Sequence, residues 1–105
     1  RNLGLLGIAA TSRIVDAAQY QRRTEEFDFD VVTARYSNSS TPGEGLRLIF
    51  GSLAAATKGS QNLAGICLPA IDALVELVIT APDRQELIQR TRALDRVLLH
   101  HHFVI

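Results

Sequence analysis

The sequence predicts a protein of the α/β class. Three observations favour this class: a strand–helix–strand pattern over residues 8–34, two amphipathic helical patterns over residues 70–100, and an apolar fraction of 47%. Strands that alternate with helices are typical of a sheet covered by helices. A chain of 105 residues is long enough for one domain or part of one, and it can bury one core.

The strand–helix–strand pattern occupies the N-terminal third. Residues 8–15 are predicted to form a strand, and Asp16 and Gln19 have the spacing of a capping box before a helix over residues 17–26. Apolar and acidic side chains then alternate and pass into a β-branched run, so residues 27–34 are predicted to form a second, buried strand. Two strands joined by one helix form a βαβ-like unit.

The C-terminal half is predicted to be mainly helical. Residues 46–56 have the apolar spacing of a short helix, and residues 70–80 carry an apolar stripe that ends before Pro82. Asp83 and Glu86 form a second capping box before a helix over residues 84–100. The stripe of the first long helix contains Ile71, Leu74, Val75, Val78 and Ile79.

No residues have the pattern of a catalytic or metal-binding site. Asp28 and Asp30 lack a third acidic residue nearby, and the helical positions of His100–His102 point about 100° apart, so one metal ion cannot easily bind all three. The nucleophile-elbow, P-loop and dinucleotide-binding motifs are absent. Cys67 is expected to be a small buried side chain. The sequence therefore predicts a protein that is not an enzyme and that has no cofactor and no metal.

The charge balance also excludes a class of partner. Eleven basic residues balance eleven acidic ones, whereas a nucleic-acid-binding protein neutralises phosphates with a clustered basic face. We therefore expect no nucleic acid partner. No apolar run approaches the roughly 18–20 residues that cross a bilayer.

A polar loop, RYSNSSTPGEG at residues 35–45, follows the second predicted strand. Ligands of open α/β sheets bind beyond the carboxyl ends of strands. Hydroxyl, amide and backbone N–H groups can recognise a polar ligand without making or breaking bonds. From the residues alone, a binding loop and a plain connecting loop stay equal alternatives.

The stretches RIVDAAQYQRRTEEFDFDVV, GSQNLAGICLPAIDALVELV and PDRQELIQRTRALDRVLLHHHFVI, in this order and spacing, resemble the family 5 extracellular solute-binding proteins. These are the oligopeptide-type receptors of ABC importers, and the similarity is to their YejA-like branch. The resemblance covers residues 2–105. It implies that residues 1–105 form a single partial lobe, from the C-terminal region of a longer protein with a type II periplasmic-binding-protein fold.

The resemblance also implies a function. The protein would be the substrate-binding component of an ABC transporter that captures an oligopeptide or a modified peptide and delivers it to a membrane permease. It would be periplasmic or extracellular, with a signal peptide upstream of this segment. The alternative is a ligand-sensing module of a regulator built on the same fold. The isolated segment is expected to self-associate through apolar surface that normally meets the rest of the receptor.

The resemblance places the polar loop in the cleft between two lobes. Many members of the family bind the α-amino group of a peptide with an aspartate in this loop, whereas here no acid occurs before Glu44. This departure favours a modified or longer peptide, or another ligand that is held by hydroxyl, amide and backbone groups. For Ser60 and Asn62, turn capping through side-chain to backbone hydrogen bonds is an equal alternative to ligand binding. The candidate ligand-binding residues are Tyr36, Ser37, Asn38, Ser39, Ser60 and Asn62.

Overall fold

The computed structural model describes residues 2–36 and 41–103, which are helical with irregular connections. No helix within these ranges combines the length and the apolar character needed to span a membrane. The helices of the described residues are α1 (Asn2–Leu5), α2 (Ala17–Glu25), α3 (Gly45–Phe50), α4 (Ser52–Ala55), α5 (Pro69–Ile79) and α6 (Arg84–His101).

The predicted α/β class is wrong. No strand occurs in residues 2–36 or 41–103, so the α/β part of a type II periplasmic-binding lobe is not observed there. The segments predicted as strands are irregular, and Ile14 and Val31 within them are 97% and 93% exposed. An apolar alternation favours extended backbone, but a strand also needs a partner whose backbone completes its hydrogen bonds. The described part of the chain supplies no such partner.

The helix starts predicted from the two capping boxes are confirmed. Oδ1 of Asp16 accepts a hydrogen bond from the Gln19 N–H at 2.8 Å, and Oδ1 of Asp83 accepts one from the Glu86 N–H at 2.9 Å. Each carboxylate satisfies an N–H that has no partner within its helix. The predicted bounds of α2 and α6 differ from the observed ones by one residue. The left-handed backbone of His102, with φ 53°, ends α6 after the first two histidines of the run.

The core lies between α5 and α6. These helices are joined by the short turn at residues 80–83 and form a hairpin whose facing side chains are buried. The predicted stripe of α5 is confirmed, because three of its members are 0–1% exposed and the other two are partly buried. Nη1 of Arg90 on α6 donates to the carbonyl of Leu77 on α5 at 2.8 Å. The buried core consists of Ile66, Ile71, Val75, Val78 and Leu94.

The helix predicted over residues 46–56 is broken at Gly51. The backbone of Gly51 is extended there, and α3 ends where α4 begins. A Cβ atom at this position would lie 2.5 Å from the carbonyl oxygen of Arg47, so a side chain does not fit. Asp72 of α5 completes the start of α4, since its carboxylate accepts from the Ser52 N–H at 2.8 Å and from the Ser52 hydroxyl at 2.5 Å.

An ion pair holds α3 against α5. The guanidinium of Arg47 donates to both carboxylate oxygens of Glu76, at 2.6 and 2.7 Å, and to Glu44 at 2.7 Å. These hydrogen bonds, the one to Glu76 first, raise the pKa of Arg47, and the bond from Arg47 lowers the pKa of Glu76. All three groups are partly exposed, so the pair fixes the orientation of α3 more than it adds stability.

We expect the Asp72–Ser52 contact to make stability depend on pH. The hydrogen bonds from the Ser52 hydroxyl and N–H lower the pKa of Asp72. Because the folded-state pKa lies below the unfolded value of about 3.9, the stabilisation is complete above that pH and is lost as the pH falls through the folded-state pKa. In urea unfolding at pH 7, the free energy of unfolding should be lower for Asp72→Asn than for wild type. This difference should become smaller in acid.

The exposed Asp95 of α6 provides the matched control for this contact. Asp95→Asn should unfold at nearly the same urea concentration as wild type at pH 7. If the difference in the free energy of unfolding between wild type and Asp72→Asn stayed constant down to strongly acidic pH, the proposed role of this contact would be contradicted.

The N-terminal part is held to this helical core by few contacts. None of residues 3–36 is buried. The carbonyl of Glu25, at the end of α2, accepts from the Gly59 N–H at 3.0 Å, and Nζ of Lys58 lies 3.2 Å from Oε1 of Glu26.

The expectation of a buried Cys67 is wrong, since this free thiol is exposed. The neighbouring Ile66 takes the buried position.

Candidate functional site

A concavity of about 360 Å³ lies where α2 meets the turn at residues 57–60. We call it the α2 cleft. Its volume is at the lower end of the range of small-molecule sites. The α2 cleft is lined by Ala17, Tyr20, Gln21, Thr24, Glu25, Gly59 and Ser60.

The local sequence explains why these side chains face one another. These residues share one face of α2, because they occupy positions i, i+3, i+4, i+7 and i+8: Ala17, Tyr20, Gln21, Thr24 and Glu25. Gly59 has a φ of 74°, a left-handed conformation that favours glycine, and this turns its N–H towards the carbonyl of Glu25.

The hydroxyl groups of the α2 cleft are already used as donors. The Tyr20 hydroxyl donates to the carbonyl of Thr33, and the Thr24 hydroxyl donates to the carbonyl of Tyr20 at 2.8 Å. The Ser60 hydroxyl donates to the carbonyl of Ala54 at 2.6 Å. The surface of the α2 cleft is mostly apolar, and these hydroxyl groups have no free proton to donate to a ligand.

Of the predicted site residues, Ser60 lines the α2 cleft and Asn62 does not. The side chain of Asn62 is 0% exposed. Its Nδ2 donates to the carbonyls of Gly51 and Ile66 at 3.0 and 2.8 Å, and its Oδ1 accepts from the Ile66 N–H at 2.9 Å. These hydrogen bonds hold residues 62–66 against the break between α3 and α4. The side chain of Asn62 has no exposed surface that a ligand could contact.

The other predicted site residues belong to the polar loop. Tyr36 is half-buried, and Ser37, Asn38 and Ser39 lie outside the described residues. Tyr36 follows Thr33 by three residues, and the Thr33 carbonyl is bound by Tyr20 of the α2 cleft. Three residues of extended chain span at most about 11 Å, so the start of the polar loop lies close to the cleft.

A second concavity, of about 290 Å³, lies on the opposite face of α2 and is lined mostly by charged groups. Its acids have partners: Asp28 is 2.7 Å from Nε of Arg23, and Glu26 pairs with Lys58. Within residues 2–36 and 41–103, no three histidine, cysteine or acidic side chains are close enough to hold a metal ion. This concavity is lined by Arg13, Gln19, Arg22, Arg23, Glu26 and Asp28.

Tyr20 and Glu25 lie in the predicted helix over residues 17–26, but the sequence gives no signal for Tyr20, Glu25 or Gly59 as site residues. Their place in the α2 cleft depends on the contact between α2 and a turn more than 30 residues away in the chain. No local pattern reports a contact of that kind.

No protein-family model matches the chain. The chain is 52% identical over 105 residues to the "Probable peptide-binding protein YejA" of Agrobacterium fabrum, a match that covers 100% of this chain and 17% of that protein. It is 35% identical over 105 residues to the "Peptidoglycan-binding protein YepA" of the same species, again covering 100% and 17%. It is 42% identical over 99 residues to a Brucella melitensis protein named as a binding protein, covering 94% and 16%.

The chain thus spans about one-sixth of the length of these relatives, which is consistent with the predicted segment of a longer protein. Their names describe binding proteins, and none describes an enzyme. The resemblance that the motifs predicted is confirmed: over its whole length, this chain is similar to a segment of the YejA-like peptide-binding proteins.

Proposed function

We propose that this chain is part of the substrate-binding component of an ABC importer, which captures an oligopeptide or a modified peptide and delivers it to a membrane permease. The observation that carries this proposal is the 52% identity along all 105 residues to a protein named as peptide-binding. Such a receptor acts outside the cytoplasmic membrane, so we propose a periplasmic or extracellular location.

Within this receptor, the polar loop with Tyr36, Ser37, Asn38 and Ser39 contacts the ligand, and Ser60 lies at the edge of the contact. The bond between Tyr20 and Thr33 supports this assignment, because it keeps the start of the loop near the α2 cleft, which Ser60 lines. Asn62 was a candidate for the same role. Its buried position supports an indirect part, in which it holds the backbone next to Ser60 in place.

The exposed apolar side chains fit a segment that packs against the rest of a longer protein. Ile14 and Val31 are almost fully exposed, and so are Leu5 and Leu53, at 86% and 90%. Soluble proteins rarely leave many large apolar side chains in water without a partner surface. We propose that the longer protein covers them and that the isolated segment self-associates through them.

A peptide attached to a glycan fragment is a second candidate ligand, because one relative at 35% identity is named as peptidoglycan-binding. The stem peptide of peptidoglycan is linked to its sugar through its N-terminus, so it has no free α-amino group. That chemistry agrees with a polar loop whose first acid is Glu44 and whose other members are hydroxyl and amide side chains.

Calorimetric titration of the full-length protein tests this function. The ligands are short free peptides, the same peptides with acetylated N-termini, and a purified muropeptide. A ligand at a hundredfold excess over its Kd should add about 2.7 kcal/mol of stability, visible as a higher Tm. Ser37→Ala and Asn38→Ala should weaken binding about tenfold by removing a ligand hydrogen bond, and Ser12→Ala, in an exposed segment, should not. No binding by any ligand of the set would overturn the peptide assignment.

A further inference from the structure

We propose that the α2 cleft binds a protonated amine of the ligand and that the Glu25 carboxylate is its counter-charge. This inference rests on the proposed function, since it assumes a peptide-like ligand, and it names the ligand group that the cleft recognises. The group is a primary ammonium. Its source is either the α-amino group of a peptide or the side-chain amine of a lysine-like residue.

The first argument is the charge that Glu25 leaves uncompensated. Glu25 is partly buried in the wall of the α2 cleft. Its Oε1 accepts a hydrogen bond only from the neutral amide of Gln21, at 2.9 Å, and no cation lies within ion-pair distance among the described residues. The nearest basic side chain along the turn, Lys58, pairs with Glu26 instead, at 3.2 Å. A partly buried carboxylate gains most from a cation that is itself removed from water.

The second argument is the direction of the hydrogen bonds in the wall. The hydroxyl protons of Tyr20, Thr24 and Ser60 are all donated to backbone carbonyls of this chain. These three hydroxyl groups therefore have no proton left to offer a ligand, and most of the remaining wall is apolar. An ammonium group, which has three donors and no acceptor, matches this arrangement, whereas a carboxylate or a phosphate does not.

The third argument is the shape and polarity of the remaining wall. Ala17 and the ring of Tyr20 give the cleft apolar surface for the alkyl part of an amine, and an aromatic ring next to a cation adds a favourable interaction. Gly59 has a left-handed backbone, with φ 74°, which other residues rarely adopt, so the turn beside Glu25 depends on glycine.

The other acidic side chains near the polar loop and α2 already have cationic partners. The first acid of that loop, Glu44, is 2.7 Å from Nη1 of Arg47, so its charge is already compensated. Asp28, three residues after Glu25, is likewise bound by Arg23. Glu25 is thus the acid beside the cleft that is available to a cationic ligand.

The test measures the affinity of the full-length protein for three peptides by calorimetry. Ala-Ala-Ala has a free α-amino group, N-acetyl-Ala-Ala-Ala has no amine, and N-acetyl-Ala-Lys-Ala has only a side-chain amine. Glu25→Gln keeps the size of the side chain and removes its charge. It should weaken binding of an amine-bearing peptide at least about tenfold, which corresponds to about 1.4 kcal/mol, and leave N-acetyl-Ala-Ala-Ala unchanged.

The two amine-bearing peptides distinguish the sources of the ammonium. A loss confined to Ala-Ala-Ala assigns the cleft to the α-amino group, and a loss confined to N-acetyl-Ala-Lys-Ala assigns it to a side chain. Equal affinities of wild type and Glu25→Gln for all peptides that bind would overturn the inference while leaving the receptor function intact. If wild type binds none of the three peptides, the peptide assignment fails, and this inference fails with it.

Two further measurements separate a charge effect from a folding defect. Glu25→Asp keeps the carboxylate and should recover part of the affinity, and Asp95→Asn removes a charge from α6 without touching the cleft. The difference between wild type and Glu25→Gln should also shrink as the salt concentration rises, because a partly exposed ion pair is screened. A difference that was independent of salt and present for the acetylated peptide would indicate altered folding, and it would count against the counter-charge.

Discussion

We expect Asn62→Ala to lower the free energy of unfolding by about 3 kcal/mol. The substitution removes the partners of the N–H and the carbonyl of Ile66, a residue that is 1% exposed. Both groups would then be buried without a hydrogen bond, at about 1–3 kcal/mol for each. The carbonyl of Gly51 also loses Asn62, but it keeps the Ala54 N–H at 3.1 Å.

Gln61→Ala is the matched control, because this neighbouring amide is exposed. Its urea midpoint should stay close to that of wild type, whereas the midpoint of Asn62→Ala should fall at an unchanged m value. If Asn62→Ala were as stable as wild type but bound peptide more weakly, the structural role would be refuted and the ligand contact predicted from the sequence would gain support.

A loss of similar size is expected from Ile71→Ala in α5. Ile71 is 0% exposed and lies in the centre of the core between α5 and α6. Removing three of its carbon atoms takes away buried apolar surface and leaves a cavity, which for Ile→Ala changes amounts to about 2–5 kcal/mol. Because the core of the described residues is small, we expect about 4 kcal/mol, near the upper part of that range.

Leu77→Ala, on the same helix, is the comparison for Ile71→Ala. Leu77 is 47% exposed, so its truncation should change the free energy of unfolding by less than about 1 kcal/mol. Both variants are measured by urea unfolding monitored by circular dichroism. Equal destabilisation by the two variants would contradict this prediction and would show that both faces of α5 are packed.

The helices were predictable because their signals are local. Asp16 and Asp83 satisfy N–H groups three residues ahead, and the stripe on α5 repeats within eleven residues. Each of these features depends on neighbours in the chain. The break at Gly51 was missed because its cause includes Asn62 and Asp72, which approach from later in the sequence.

The strand prediction was wrong because strand formation depends on contacts that are not local. Residues 27–34 have apolar alternation, but whether they pair depends on a second segment that no window of sequence contains. In the described residues they are irregular, and the carbonyl of Thr33 is bound by a tyrosine hydroxyl instead of by a strand.

The candidate site was predictable only in part. Ser60 was recognised as polar and close to glycine, and it does line a concavity. Asn62 is also polar and lies two residues further along the sequence, yet its side chain is wholly buried. Burial depends on what packs around a residue, which the local sequence does not show. Glu25 looks like an ordinary acid at the end of a surface helix until the positions of Gln21 and Lys58 are known.

The α5–α6 hairpin also sets the order in which the chain gains structure. Its two helices are joined by four residues, so their contacts close short loops and require little loss of chain entropy. Contacts of low sequence separation form within microseconds to milliseconds. We therefore expect the hairpin to form first and α2, whose contacts with residues 58 and 59 close loops of more than 30 residues, to dock later on the turn that contains them.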